Sequence, residues 1–369
     1  MIEIYAGKTA LKTIQEQGFS QQLFTSMLGA SGGPKWFTLF GLDKYIFGEF
    51  FQERTTPLNL IGSSAGAFRF GALAQKDPIA AITRLAKIYS ETVYSEKADA
   101  IEITTKAKAL LDAVYGNHGI EEIINNPIFK AHFIVAKCQG LTSFESRPLQ
   151  FLGLLSSIIF NRIDRNLLKH QYQRYVFHHP NSQVKLTDHC QFDTFYQPLT
   201  LSNLKDALLA SGSIPMVMQG VKDIPHSPSG MYRDGGIIDY HFDLNIEEQS
   251  PKISASDSNF SHNQSAKNDG LILYPHFNAQ PKAGWFDKNL ARNVQENHYK
   301  NVVMLVPSAQ FVASLPFGKI PDRKDFTEMD APTRIKYWRT VLAETERLAE
   351  GFDAFCQQAN INQIKPFSF

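Results

Sequence analysis

The sequence predicts an α/β protein built on a mostly parallel central sheet, and three observations lead to that prediction. Short apolar runs alternate along the chain with longer segments of helical periodicity. Two of these runs end in glycine-rich turns after which a helical pattern starts at once. The composition, with 43% hydrophobic and 20% charged residues, is that of an ordinary globular chain rather than a disordered one.

The first predicted strand and helix lie within the first 50 residues. Residues 23–29 form an apolar run that predicts a short buried strand, and a glycine-rich turn follows it. Pro34 suits the first turn of a helix, where its missing N–H is not needed. We expect this helix to continue to about Phe50, because aromatic and aliphatic side chains recur at helical spacing.

The second predicted strand is the apolar run 58–61, which leads through Gly62 into a helix from Ala67. Residues 78–125 have a mainly helical pattern. The later strands are predicted from apolar runs that are typical of buried strands, at 131–138, 172–177, 231–234, 271–274 and 302–306.

Two more helices and one loop complete the predicted elements. Ser202 or Asn203 can cap a short helix over 201–209. Apolar residues at helical spacing predict one amphipathic helix over 335–357, and its acidic outer face favours docking on the sheet over contact with an anionic membrane. Residues 247–270 are polar with almost no apolar side chains, which predicts a long surface loop.

We predict a single domain over residues 1–369. The length suffices for one large α/β domain, and the sequence contains no internal repeat. The motifs described below fall within about 22–245. The strands and the amphipathic helix of 271–369 complete the domain.

The charge balance and the cysteines exclude several classes of function. The chain has 37 Lys and Arg against 36 Asp and Glu, so it lacks the basic footprint of a nucleic-acid-binding protein. Three dispersed cysteines, Cys138, Cys190 and Cys356, cannot form a disulfide framework and contain no C-x-x-C pair. Free thiols and the lack of a signal-peptide pattern predict a cytoplasmic protein.

The longest nearly apolar stretch runs from Leu149 to Phe160, which is too short for the roughly 20 residues that span a bilayer. Polar residues interrupt this stretch, and three basic residues follow it: Arg162, Arg165 and Lys169. The sequence favours a core helix with a solvated end. A helix that rests on a membrane surface, as in a peripheral protein, is the alternative.

Ser64 is the candidate nucleophile, because Gly62 to Gly66 fits the pattern G-x-S-x-G. This pattern makes a tight turn from strand to helix that exposes the serine hydroxyl. Gly62 and Gly66 prevent clashes between the strand, the turn and the helix. The helix that starts behind Ser64 directs its amide dipoles at developing negative charge. The alternative is an ordinary β-α turn.

Gly32 and Gly33 are the candidate oxyanion-hole donors, because glycines between a strand and a helix leave their backbone N–H groups uncovered. A nucleotide site is not expected here, since Pro34 precedes Lys35 where a P-loop requires glycine. Lys35 is predicted either to fix the loop by binding nearby carbonyls or to be a solvated residue of the first helical turn.

Asp234 is the candidate base that takes the serine proton. A carboxylate can do so when partial desolvation raises its pKa. Gly235 and Gly236 follow it and let the chain turn sharply while another backbone approaches closely. Taken alone, the Asp-Gly pair is equally typical of a common turn.

Four motifs in order resemble the patatin-like phospholipase family. They are Ser31-Gly32-Gly33-Pro34-Lys35, Gly62-Ser63-Ser64-Ala65-Gly66, Ala210-Ser211-Gly212-Ser213-Ile214-Pro215 and Asp234-Gly235-Gly236. The resemblance covers about residues 22–245. It implies a three-layer α/β/α fold, a Ser64–Asp234 dyad, an oxyanion hole at Gly32-Gly33, and no metal or other cofactor. It also implies a lipid or lysolipid ester as substrate, with transient contact at a membrane surface.

Two other functions stay open. Ser31 stands where the family usually has the first of three glycines, so a weakly active or inactive lipid-binding scaffold is one alternative. A Ser-Asp-His esterase is the other, because His241, His276 and His298 follow Asp234 in the chain order of α/β-hydrolases.

A metal site is not predicted. Several possible ligands are close in sequence, but their spacing fits no standard zinc pattern. These residues are His178, His179, Asp188, His189 and Cys190.

Overall fold

The computed structural model describes residues 1–248, 270–358 and 360–368. The strands are β1 (Ile2–Ala6), β2 (Phe24–Gly29), β3 (Leu58–Ser63), β4 (Phe129–Cys138), β5 (Tyr172–His178), β6 (Val184–Thr187), β7 (Thr194–Pro198), β8 (Val221–Lys222), β9 (Met231–Asp234), β10 (Asn245–Glu248), β11 (Leu271–Pro275), β12 (Val302–Pro307) and β13 (Ile364–Pro366). The α-helices are α1 (Lys8–Gln17), α2 (Phe40–Tyr45), α3 (Ala65–Leu73), α4 (Pro78–Glu91), α5 (Ala100–Tyr115), α6 (Gly119–Ile124), α7 (Arg147–Ile163), α8 (Leu204–Ser211), α9 (Ala309–Ser314), α10 (Asp325–Glu328), α11 (Ala331–Glu344) and α12 (Glu346–Gln358).

Eleven of these strands form one sheet, whose main path is β13-β1-β12-β11-β2-β3-β4-β5-β7. The five central strands, from β12 to β4, are parallel to one another. The flanking pairs β1–β12 and β4–β5 are antiparallel. The predicted α/β class with a mostly parallel sheet is therefore confirmed.

Both faces of the sheet are covered at its centre. Every residue of β3, β11 and β12 is buried, as expected for strands inside a three-layer α/β/α arrangement. On one face α3 packs against β3 and α4 packs against α3. Helices α2 and α11 pack against α4, and α12 packs against α2. Aromatic rings fill this layer, where the ring centroids of Phe37 and Trp338 lie 5.3 Å apart.

The amphipathic helix predicted over 335–357 is two helices. α11 ends at Glu344 and α12 begins at Glu346, with Thr345 between them. The Thr345 hydroxyl accepts a 2.9 Å hydrogen bond from the Gly41 amide of α2. A Cβ on Gly41 would overlap the Thr345 carbonyl. The apolar spacing continues through this break, so the sequence pattern could not locate it.

Some of the other predicted elements agree with the structure and some differ from it. Residues 78–125 contain α4, α5 and α6, as expected, whereas β1 and α1 were not predicted. The segment after Pro34 is helical to Phe50 but changes from 3₁₀ to α to π geometry. All three cysteines are free. Residues 247 and 248 of the predicted surface loop belong to β10, and 249–269 lie outside the described residues.

The prediction of a core helix at Leu149 to Phe160 is wrong. This stretch lies within α7, whose buried positions are polar or glycine and whose large apolar side chains are mostly exposed. In the described part of the chain, no helix combines the length and the apolarity needed to cross a membrane.

Candidate active site

Strand β4 brings the two predicted catalytic side chains together. β3 runs parallel to the first half of β4 and ends at Ser63, opposite Ile134. β9 runs antiparallel to the second half of β4 and ends at Asp234, opposite Val135. Because β5 occupies the other edge of β4, β3 and β9 meet end to end along the same edge. Ser64 and Asp234, 170 positions apart, are therefore neighbours.

Ser64 has a backbone conformation that side-chain-bearing residues rarely adopt. Its φ is 52° and its ψ is −120°. The Ser64 amide donates a 3.0 Å hydrogen bond to the Ser211 hydroxyl, which in turn donates a 2.7 Å bond to the Ile134 carbonyl. Ser211 lies in one of the four motifs, but its positioning role was not predicted.

The predicted supporting glycines lie where backbones cross closely. A Cβ on Gly66 would overlap the carbonyl of Gly29, so α3 could not approach β2 as it does. A Cβ on Gly62 would lie 2.6 Å from backbone atoms of Gly66. A Cβ on Gly235 would overlap the carbonyl of Ile134. The tight elbow around Ser64 therefore depends on small residues at these positions.

The position and the raised pKa of Asp234 suit it to accept the proton of the Ser64 hydroxyl. Ser64 Oγ donates a 2.9 Å hydrogen bond to Asp234 Oδ2, and the Gly236 amide donates a 2.7 Å bond to Oδ1. Burial raises the pKa of Asp234 to about 6, although the two hydrogen bonds and the charges of Arg323 and Lys288 oppose the rise. The carboxylate is thus ionised at neutral pH and more basic than an exposed aspartate.

The Gly32-Gly33 loop borders the same pocket as Ser64. Within the described residues, neither the Gly32 nor the Gly33 amide donates a hydrogen bond to the protein. Gly33 has a φ of 58°, which favours glycine, and a Cβ on Gly32 would lie 2.8 Å from the Phe277 ring. Both amides therefore remain free to bind an anionic oxygen.

Ser31 does not obstruct this loop. Its hydroxyl lies 3.2 Å from the Ser63 carbonyl and 3.2 Å from the Ser63 hydroxyl, and the residue is 1% exposed. A Cβ on Gly236 would lie 2.5 Å from that hydroxyl, so the two turns are in close contact. Ser31 joins the glycine loop to the end of β3 and is not among the residues that line the pocket.

The pocket around Ser64 opens into a larger cleft with a volume of about 1530 Å³. The pocket and the cleft share seven lining residues: Gly32, Ile214, Pro215, Tyr240, Trp285, Lys288 and Arg323. The last four of these were not predicted as site residues. They belong to no motif, and no signal in the sequence could have identified them.

Two cations at the pocket have no ionic partner among the described residues. Arg323 lies over the glycine loop, with its Cγ 3.0 Å from where a Cβ on Gly33 would stand. Lys288 places its ammonium 4.0 Å from the centre of the Tyr240 ring. Burial, with a smaller contribution from the charge of Arg323, lowers the pKa of Lys288 to about 7. Arg323 is therefore the charged group at the pocket mouth that suits an anionic ligand, whereas Lys288 is only partly protonated at neutral pH.

Lys35 lies in the first turn of the helix and is partly exposed, as one of its two predicted roles requires, but it pairs with an acidic side chain. Its ammonium lies 3.1 Å from Asp322 Oδ2 and is partly exposed. It also lies 5.8 Å from the centre of the Phe277 ring, along the larger cleft. Lys35 therefore links the glycine loop to the segment that carries Arg323.

The structure does not bring the three candidate histidines to Ser64. In the described part of the chain, no histidine lines the pocket around that residue. The rings of His241 and His276 pack against each other with centroids 4.4 Å apart, and burial lowers the pKa of both. His298 Nδ1 lies 2.6 Å from Asp243 Oδ1. The hydrogen-bond partner of the Ser64 hydroxyl is a carboxylate.

Residues 178–190 do not assemble into a metal site among themselves. Asp188 instead forms an ion pair with the buried Arg174. A different group, His189, Asp243 and His298, has one ligand atom each within 4.8 Å of the others and could hold a metal ion. None of the three lines the pocket around Ser64.

Comparison with models of known protein families gave no match, and no curated protein matches the chain. Among solved structures, that of VipD from Legionella pneumophila is similar with a TM-score of 0.35. The two sequences are 10% identical, over 95% of this chain and 70% of that chain. A likeness this weak transfers no activity, so the proposals below depend on the geometry of the site.

Proposed function

We propose that this protein is a serine acyl hydrolase of the patatin-like type that cleaves fatty-acyl esters of lipids. The observation that carries the proposal is the 2.9 Å hydrogen bond from the strained Ser64 to the buried Asp234 carboxylate. A nucleophile, a base and two free amides beside one pocket are the groups that acyl transfer requires.

In the first half of the reaction, Ser64 Oγ attacks the ester carbonyl carbon while Asp234 accepts the hydroxyl proton. The negative charge that develops on the carbonyl oxygen is stabilised by the amides of Gly32 and Gly33. The bond to the alcohol oxygen then breaks, and Asp234 returns the proton to that oxygen. The products of this step are the free alcohol and an acyl ester on Ser64.

In the second half, a water molecule takes the place of the alcohol. Asp234 accepts a proton from the water as its oxygen attacks the acyl carbon on Ser64. The tetrahedral intermediate collapses, Ser64 Oγ leaves and recovers the proton from Asp234, and the fatty acid is released. The elevated pKa of Asp234 suits both proton transfers.

The lining of the cleft supports an amphiphilic phosphate ester as substrate. One set of lining residues is apolar and can accept an acyl chain, including Ile103, Val217, Met218, Phe277 and Phe326. A second set is basic, namely Lys35, Lys282, Lys288, Arg323 and Lys324. Within this set Arg323 has no ionic partner among the described residues and can bind a phosphate, whereas Lys35 is already paired with Asp322. A phospholipid or lysophospholipid carries both features.

The test is release of fatty acid from phospholipid in mixed micelles by the wild-type protein and by Ser64→Ala. We expect the substitution to lower the rate by at least about 1,000-fold, because the nucleophile is lost. Ser202→Ala, at an exposed serine before α8, is the matched control and should keep the full rate. A Ser64→Ala protein that retains activity would contradict the proposal.

The inert scaffold gives a different result in the same experiment. A scaffold would bind phospholipid without releasing fatty acid even as the wild-type protein. The sequence feature that suggested it was Ser31, and the Ser31 hydroxyl is bonded to Ser63 outside the pocket. This placement of the Ser31 hydroxyl supports the enzyme over the scaffold.

A further inference from the structure

Helix α7 has its apolar side outward and its polar side inward. The residues that it buries are Gln150, Gly153, Ser157 and Asn161. We use the name α7 face for its exposed large apolar side chains, each between 42% and 71% exposed: Phe151, Leu152, Leu155, Ile158, Ile159 and Ile163. Leu141 and Phe144, just before the helix, are also exposed.

Buried hydrogen bonds fix this orientation of the helix. The Ser157 hydroxyl donates a 2.8 Å bond to the Gln171 side chain and lies 2.9 Å from the Tyr172 hydroxyl. The Asn161 side chain donates a 2.9 Å bond to the buried Asp287. Rotating α7 to bury its apolar side would leave these polar groups without partners, which is unfavourable. The exposure of the α7 face is therefore built into the fold.

Hydrogen bonds from the buried side of α7 also connect the helix to segments that line the active-site cleft. Near the start of the helix, Gln150 accepts a 2.6 Å bond from the amide of Met216, which lines the cleft. Near its end, Asn161 bonds to Asp287, the residue before the pocket-lining Lys288. The buried side of α7 is thus tied to two segments that border the cleft, and the α7 face is the outer side of that same helix.

The charges on α7 indicate what this face binds. The helix carries Arg147 and Arg162, both exposed, and contains no acidic residue. Exposed Glu145 and Asp164 flank the helix, but Glu145 is paired with Arg233 and Asp164 binds the Asn166 amide. The apolar strip and its two arginines complement an anionic lipid surface, where aliphatic side chains enter the acyl region and arginines meet phosphates. Water would satisfy neither the apolar side chains nor the arginines in this way. Large exposed apolar patches of this kind mark interaction sites.

We propose that the α7 face docks the protein on an anionic phospholipid bilayer, with the active-site cleft held at the lipid surface. The docking gives the proposed hydrolase access to its substrate and in that sense rests on the proposed function. Binding itself needs no chemistry, so the two proposals can fail separately.

The experiment measures how much protein floats with lipid vesicles. It uses the Ser64→Ala protein as the parent, because this variant should not hydrolyse the lipids of the vesicles. Vesicles of phosphatidylcholine with phosphatidylserine are compared with phosphatidylcholine alone. We expect strong flotation with the anionic vesicles, lowered about tenfold or more by Leu155→Asp combined with Ile159→Asp. Ile101→Asp combined with Leu201→Asp, at equally exposed apolar residues elsewhere, is the matched control and should float normally.

A second pair, Arg147→Glu with Arg162→Glu, leaves every apolar side chain in place. It should reduce flotation on anionic vesicles, and equal flotation of this pair and the parent would contradict the role of charge.

Absence of flotation by the parent overturns the proposal, as does loss of flotation in the Ile101/Leu201 control. The proposal is also overturned if the parent is a dimer that does not bind vesicles and the α7 substitutions make it monomeric, because the α7 face would then bind a second copy of the chain. Flotation without any wild-type hydrolysis would instead reject only the proposed enzyme.

Discussion

Ser64 and Asp234 are both held in states that folding disfavours. Ser64 has a positive φ, and Asp234 is a carboxylate that is only 6% exposed. Surrounding groups maintain these states, because Ser211 fixes the Ser64 amide and the Gly236 amide binds Asp234. Strain and desolvation that serve chemistry should therefore lower stability, and removing them should raise it.

The first prediction is that Asp234→Asn unfolds at a higher temperature than the wild type at pH 7.5. The pKa of Asp234 is raised from 3.8 to about 6, so the folded state binds the proton more tightly than the unfolded state. Stability therefore falls as pH rises from about 4 to about 6, by at most about 3 kcal/mol. Thermal unfolding at pH 7.5 and pH 4.5 measures this, and the same difference between the two proteins at both pH values would contradict it.

The second prediction concerns the rate with a short, uncharged ester. Asp234 must be ionised to accept the Ser64 proton, so kcat/KM should rise about tenfold per pH unit below pH 6 and level off above it. Steady-state assays across this range test the idea. A rate that is flat down to pH 4.5, or that follows the titration of a histidine, would rule out Asp234 as the base.

At the scale of elements, the four sequence motifs correspond to turns or strand ends that depend on local chemistry. The elbow after β3 and the turn after β9 could be predicted because glycine is required where backbones touch. The exposed side of α7 and the break at Thr345 could not be predicted. Helical periodicity reports which residues share a face, but it does not report whether that face meets protein, lipid or water.

The third prediction is that Gly66→Ala destabilises the protein by more than about 3 kcal/mol or prevents folding. Its Cβ would overlap the Gly29 carbonyl, so β2 and α3 would have to separate. Gly351→Ala in α12 is the control, because the nearest atom to its Cβ is in the side chain of Ile2, at 3.2 Å, and the nearest backbone atom is 3.9 Å away. Urea unfolding of both variants gives the comparison, and similar midpoints would show that the close approach is unimportant.

At the scale of the whole molecule, the site depends on more of the chain than the motifs cover. The motif-bearing region of about 22–245 supplies the dyad and the glycine loop. Trp285, Lys288 and Arg323 come from the last third of the chain, in which no motif was found. Single cations on loops leave no pattern in a sequence with a net charge of +1. Only the folded chain gathers them at one pocket mouth.

The fourth prediction is that Arg323→Met lowers kcat/KM for a phospholipid about tenfold more than for a short, uncharged ester. Arg323 has no ionic partner among the described residues and is free to bind a phosphate beside the glycine loop. Arg347→Met, at a partly exposed arginine paired with Glu344, is the control. Equal losses with the two substrates would indicate that Arg323 supports the loop rather than the headgroup.

The most direct test of the central claim is covalent labelling with a fluorophosphonate, mapped to its residue by mass spectrometry. The probe reacts with a serine hydroxyl only when a base activates it and amides stabilise the adduct. We predict one adduct on Ser64, absent in Ser64→Ala and formed at least about 100-fold more slowly in Asp234→Asn. An unlabelled wild-type protein, or an adduct at another serine, would contradict the account.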